Sequence, residues 1–134
     1  MQESLNKENQ IYFRTEGHRE RFQSAIHNVG ERGIWGGERI DAYYGSALYL
    51  LTMDKDIYEE TQSFFTENGI NFEKMLKGIH LSTTETALVA LAGALFGQDI
   101  KSITTDLIDL DERNFTIVVQ ALQLRRKSHT LSQI

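Results

Sequence analysis

A chain of 134 residues with 40% hydrophobic and 25% charged side chains is long enough to bury its own core as one domain, without disulfides or a metal. It has no cysteine, which excludes thiol catalysis, zinc–thiolate sites and iron–sulfur clusters, and no proline, which suits helices joined by short turns. The net charge of −5 disfavours broad binding to nucleic acid or to an anionic membrane.

Residues 1–10 are polar and without periodicity, so they read as an N-terminal arm that carries no secretory leader. With the lack of cysteine this points to a reducing compartment, and a cytoplasmic location is expected. A single helical domain is expected over residues 11–127, followed by a C-terminal tail at 128–134. Ile11, Tyr12 and Phe13 form a short apolar patch before the first helix, which Thr15 caps. In that helix Phe22, Ala25, Ile26 and Val29 share a face, and Gly30 ends it. A glycine-rich connector runs to Gly37. A second helix is expected from about Glu38 to Met53, its broad apolar side carrying Ile40, Tyr43, Tyr44, Ala47, Leu48 and Leu51. Gly45 lies in its middle, where glycine costs about 1 kcal/mol relative to alanine. That cost implies a close neighbour, and Gly93 is the expected one.

Asp54 caps a shorter helix reaching Phe65, Asn68-Gly69 is a turn, and a brief helix over Asn71–Lys77 stops at Gly78. Ala87 to Phe96 is an unbroken apolar run, opened by Ser82 with Glu85 three residues on and closed by Gly97. It is too short to cross a bilayer, which needs about 20 apolar residues. A helix with no polar face must be covered on all sides. The expectation is therefore an all-α domain of five to six helices packed around a buried central helix at 83–96. A short turn or helix follows over residues 102–108. Asp109, with Glu112 three residues on, opens the last helix to about Lys127. Thr116 to Val119 is β-branched and would also suit a strand, but Phe115, Val118, Val119 and Leu122 keep helical spacing. Leu110, Ile117, Ala121 and Leu124 make a second stripe, to be covered by neighbours or by a second subunit.

Few residues invite chemistry. His18 lies one turn before Phe22 and faces inward with it. It serves either as a packed histidine with one hydrogen bond or as a base beside Arg21 and Asp41, with Tyr44 one turn from Asp41. His27 falls on the opposite side of the helix. No metal-ligand spacing such as His-Glu-x-x-His and no Gly-x-Ser-x-Gly elbow occurs, and no cofactor or metal is expected. Gly36-Gly37 ahead of a helix resembles a phosphate cradle but lacks the Gly-Lys-Ser/Thr ending. Asp54, Asp56, Glu59 and Glu60 read as a solvated helix start. Arg125, Arg126 and Lys127 offset the dipole at the end of the last helix. Trp35, in the connector, either tucks against the core or meets a partner, and with Ile117 and Leu124 of the second stripe it is the expected contact surface.

Three segments, His18 to Phe22, Asp41 to Thr52, and Leu110 to Phe115 with Ala121-Leu122 beyond, resemble a family of small helical proteins of unknown function from Gram-positive bacteria. The resemblance spans about Ile11 to Arg126. It implies a helical fold and assigns no activity to any residue.

The leading expectation is a small cytoplasmic interaction or accessory protein without catalysis, which binds a protein partner or itself and no membrane. A ligand-binding or hydrolytic protein using His18, Arg21 and Asp41 is the alternative. A weak nucleic-acid-binding regulator is the third reading, and the acidic net charge disfavours it.

Overall fold

The computed structural model describes residues 10–66, 68–98, 107 and 109–134. Among them lie six α-helices: α1 (Glu16–Asn28), α2 (Ala42–Leu51), α3 (Lys55–Thr61), α4 (Phe72–Gly78), α5 (Thr83–Leu95) and α6 (Glu112–Arg126). Five two-residue strands accompany them: β1 (Ile34–Trp35), β2 (Arg39–Ile40), β3 (Phe65–Thr66), β4 (Gly69–Ile70) and β5 (His129–Thr130). The protein is thus mainly helical, and the short strands are what the all-α expectation did not include. Strands of two residues are too short to show any alternation of apolar and polar side chains.

The glycine-rich connector is one source of the difference. Gly36 and Gly37 have φ of 60° and 76°, the left-handed pair that a tight hairpin turn needs, and Glu38 N–H closes the turn on the Trp35 carbonyl. Ile34 then pairs with Ile40, and Ile40 with His129 on its other side. Arg39–Ile40 is therefore the middle strand of an antiparallel sheet in the order β1-β2-β5. The second helix starts only after Asp41, which accepts from the Tyr44 N–H, and not at Glu38. The expected tail at 128–134 is also corrected. It supplies β5 and a 3₁₀ turn at Leu131–Gln133 whose Gln133 carbonyl accepts from Ile11 N–H, while Leu131 and Ile134 pack on the core.

Most helix starts follow from local side chains. Thr15, Asp54, Asn71 and Ser82 each accept a backbone N–H from the first turn of the helix they precede, and Ser82 and Glu85 close a full capping box. The last helix follows the same rule, but Asp111 rather than the expected Asp109 caps it by accepting from Asn114 N–H. Residues 115–124 are helical throughout. Gly97 ends α5 as expected: its φ is 95°, its N–H reaches the Ala94 carbonyl, and Gln98 N–H reaches that of Gly93. Of the expected arm at residues 1–10 only Gln10 falls within the described residues, and of the turn over 102–108 only Leu107.

The core draws on every helix, with Phe22 and Ile26 from α1, Leu48 and Leu51 from α2, Ile57, Phe72, Leu88 and Ile117 all fully or almost fully buried. The apolar run in α5 is buried from Ala87 to Gly93. The helix enclosed by most neighbours is α2, buried without a break from Tyr44 to Leu51 and in contact with α1, α3, α5 and α6. Gly45 is buried within it, but its near neighbour is not Gly93. A Cβ there would lie 2.7 Å from Cγ2 of Ile40, the strand residue just before the helix.

Candidate functional site

The four polar residues singled out by the sequence occupy both ends of α2. The helix has ten residues and spans about 15 Å. Asp41 is at its N-terminus, with Tyr44 in the first turn, while His18 and Arg21 meet its last carbonyls. The expected cluster of His18, Arg21, Asp41 and Tyr44 is therefore divided, for the simple reason that α2 lies between its halves.

At the C-terminal end, α1 delivers His18 in its first turn, where Thr15 caps the helix through His18 N–H. The His18 ring is fully buried. Arg14 N–H donates to its Nδ1 at 3.1 Å, so the proton sits on Nε2, which donates to the Tyr49 carbonyl at 2.9 Å. Phe13 meets the ring edge-on with centroids 5.0 Å apart, and the Tyr49 ring lies at 4.5 Å. Burial pushes the His18 pKa down to about 4. The Tyr49 bond opposes this in part, and the charges of Arg21 and Arg14 add to the lowering. Both ring nitrogens are occupied and no face is open, so the imidazole has no route to a substrate. Its partner Tyr49 is equally committed. The phenol donates to the Tyr12 carbonyl, and burial raises its pKa well above the ordinary value.

Arg21, one turn further along α1, donates from Nε to the Thr52 carbonyl at 2.9 Å and from Nη2 to that of Met53 at 3.4 Å. Thr52 is the C-cap of α2 and Met53 follows it, so neither carbonyl has a partner within the helix. His18 and Arg21 together form a C-terminal cap for α2 supplied by another helix. Arg125 does the same for α5, donating from Nε to the Leu95 carbonyl at 2.9 Å while its guanidinium lies 3.7 Å over the Tyr43 ring. Its role is thus to finish a neighbouring helix as well as its own.

At the N-terminal end, one Asp41 oxygen accepts Tyr44 N–H and the other accepts the Trp35 indole N–H, both at 2.9 Å. The hairpin is thereby tied to α2. Trp35 itself stays 58% exposed. It forms a ridge between two shallow hollows: one of about 560 Å³ with Arg32, Tyr43 and Phe96, the other of about 400 Å³ with Arg39, Arg126 and Lys127. Tyr44 turns inward and packs edge-on against Phe96 at 4.9 Å.

The expected contact stripe on α6 is corrected. Ile117 and Leu124 are 0% and 2% exposed and belong to the core. The face left in water carries Phe115, Val119 and Leu122, with Tyr12 alongside. The sequence showed both stripes, but an apolar arc that wide does not reveal which half faces inward. The buried half is the one containing small Ala121, in the helix that packs on α2. Elsewhere His27 is exposed, its Nδ1 against the Gln23 carbonyl of its own helix, and Glu60 accepts His80 N–H. Among the described residues no group of three or more His, Asp or Glu side chains could hold a metal ion, and no helix is long and apolar enough to cross a membrane. No protein-family model, curated protein or solved structure matches the chain.

Proposed function

We propose that the protein is a small cytoplasmic interaction protein without catalytic activity, acting through a protein partner or through self-association. The observation that carries this reading is where the large exposed hydrophobic side chains lie. Among the described residues they are Trp35 and Tyr43 beside the hairpin, and Tyr12, Phe115, Val119 and Leu122 on and beside α6. Exposed apolar side chains scattered singly need no explanation, whereas side chains gathered on one face mark contact sites. The polar residues that would serve an enzyme support the same reading, because His18, Arg21 and Asp41 are spent on the ends of α2. Kinship with the small helical proteins of Gram-positive bacteria remains a proposal resting on three motifs. Two of these motifs contain the residues that clamp α2.

The test is site-specific photo-crosslinking in cells with the reactive residue at Trp35 or at Phe115, combined with native mass spectrometry of the purified protein. The reading expects a polypeptide adduct at one site or both and no retained small molecule. A stoichiometric small molecule in the purified protein, or no adduct at either site, overturns it.

One observation favours a second reading. Arg39, Arg126 and Lys127 surround a hollow beside exposed Trp35, and none of them pairs with a carboxylate among the described residues. A nucleic-acid-binding regulator would use this corner. It would show oligonucleotide binding that falls steeply with salt and weakens on replacing Arg126 and Lys127 with alanine.

A further inference from the structure

The outward face of α6 has an order beyond its exposure. Glu112, Phe115, Val119, Leu122 and Arg126 are all exposed and follow one another at intervals of three, four, three and four residues. That is the spacing of a seam that packs helix against helix. The stripe covers fourteen residue steps, about 21 Å. Its middle is apolar, its N-terminal end is a carboxylate and its C-terminal end a guanidinium. Neither charged end is in an ion pair among the described residues. Turned end for end about an axis through Val119, the stripe becomes its own complement: apolar meets apolar, and each Glu112 meets an Arg126. Self-complementarity of this kind is what a two-fold interface requires.

We propose that this face is the interface of a homodimer in which two copies of α6 pack antiparallel about Val119. Glu112 of each chain lies against Arg126 of the partner subunit. The proposal rests on the interaction reading above and names the partner as a second copy of this chain. Tyr12 widens the apolar centre, since it lines a hollow of about 240 Å³ together with Phe115 and Val119. The occupant is argued from charge. A stripe with opposite charges at its two ends matches its own reversed copy, and an unrelated helix would have to carry the same pattern by coincidence. The seam is one short helix face, so the dimer is of the weak, reversible class.

Sedimentation velocity of the full chain over a concentration series tests the proposal. The wild type is expected to pass from monomer to dimer. Val119→Glu puts two like charges on the axis of symmetry at an exposed position, where folding is not at stake, and should leave only monomer. Glu112→Arg and Arg126→Glu should each weaken the dimer, by up to about tenfold for the two symmetry-related pairs, and the double exchange should restore it. A wild type that stays monomeric, or a dimer indifferent to Val119→Glu, overturns the proposal. So does a monomer whose binding of a hydrophobic dye rises when residues 1–9 are removed, because the chain's own arm would then be the occupant. Crosslinks to a different polypeptide at Trp35 alone, with a monomeric protein, would leave the interaction reading standing and remove only the dimer.

Discussion

The His18 imidazole donates from Nε2 to the main-chain carbonyl of Tyr49, joining the first turn of α1 to the last turn of α2. The carbonyl belongs to a helix end and needs a donor, the ring is buried and needs partners, and each meets the other's need. Arg21 adds two further carbonyls from the same end. A histidine and an arginine that could pass for a base and an anion clamp are a splint between two helices.

The splint has a pH signature. His18 in the unfolded chain titrates near 6.5, whereas in the folded protein its pKa is pushed down to about 4. Between these values the unfolded state takes up a proton that the folded state refuses, so stability falls as pH drops from 6.5 towards 4. The loss from this group totals about 3 kcal/mol and flattens below pH 4. Denaturant titrations of wild type and His18→Gln across pH 4 to 7 isolate it, because carboxylate effects are common to both proteins. The difference between the two curves should shrink as the pH is lowered, and parallel curves would count against the buried neutral ring.

Arg21→Ala should destabilise the protein by about 1–3 kcal/mol, since a charged donor is lost from the carbonyls of buried Thr52 and Met53. Arg21→Lys should recover less than half of that, because an ammonium cannot span two carbonyls as a guanidinium does. Midpoints of urea unfolding at neutral pH decide the point; equal stability of the lysine variant and the wild type would contradict it.

Asp41 holds two donors from opposite sides, the Tyr44 amide and the Trp35 indole. Asp41→Ala should lower stability by about 1–2 kcal/mol through the lost helix cap. It should also loosen Trp35, the sole tryptophan of the chain. Steady-state anisotropy of its emission reports the second effect separately, and should drop. An unchanged anisotropy would mean that the indole is held by something else.

Gly45→Ala gains about 1 kcal/mol of helix propensity but drives a methyl to 2.7 Å from the Ile40 side chain. Ile40 is β-branched and 3% exposed, so it has little room to yield. Overpacking of this kind costs about 1–3 kcal/mol, and a net loss of about 1 kcal/mol is expected. Calorimetric melting of the variant checks the sign; a higher melting temperature would show that the strand can shift.

What the sequence disclosed divides by distance along the chain. Thr15, Asp54, Asn71 and Ser82 act on amides within three residues, and their helices start where local reading puts them. Asp109 and Asp111 both suit a helix start, and Asp111 takes the role. The bonds that cap α2 and α5 from other helices join residues far apart: 31 positions from His18 to Tyr49, and 30 from Arg125 to Leu95. Spacing says that His18 faces inward, which it does, but not what it meets there. The same limit divides the polar cluster, and it leaves open whether neighbours or a second subunit cover Ile117 and Leu124, which the core buries. The loop composition around Trp35 leaves open whether the indole tucks inward or meets a partner, and its exposure follows from the hairpin turn at Gly36-Gly37, which two glycines permit without announcing.

The central claim is that His18 is a neutral structural hydrogen-bond donor, and the direct measurement is a pH titration of imidazole resonances by NMR. The protein has four histidines. The His18 ring is expected to stay in the Nε2–H form, with a slowly exchanging proton, down to about pH 5. A His18 ring that titrates with a midpoint at or above 6.5, or whose Nε2 proton exchanges at once with solvent, would contradict it.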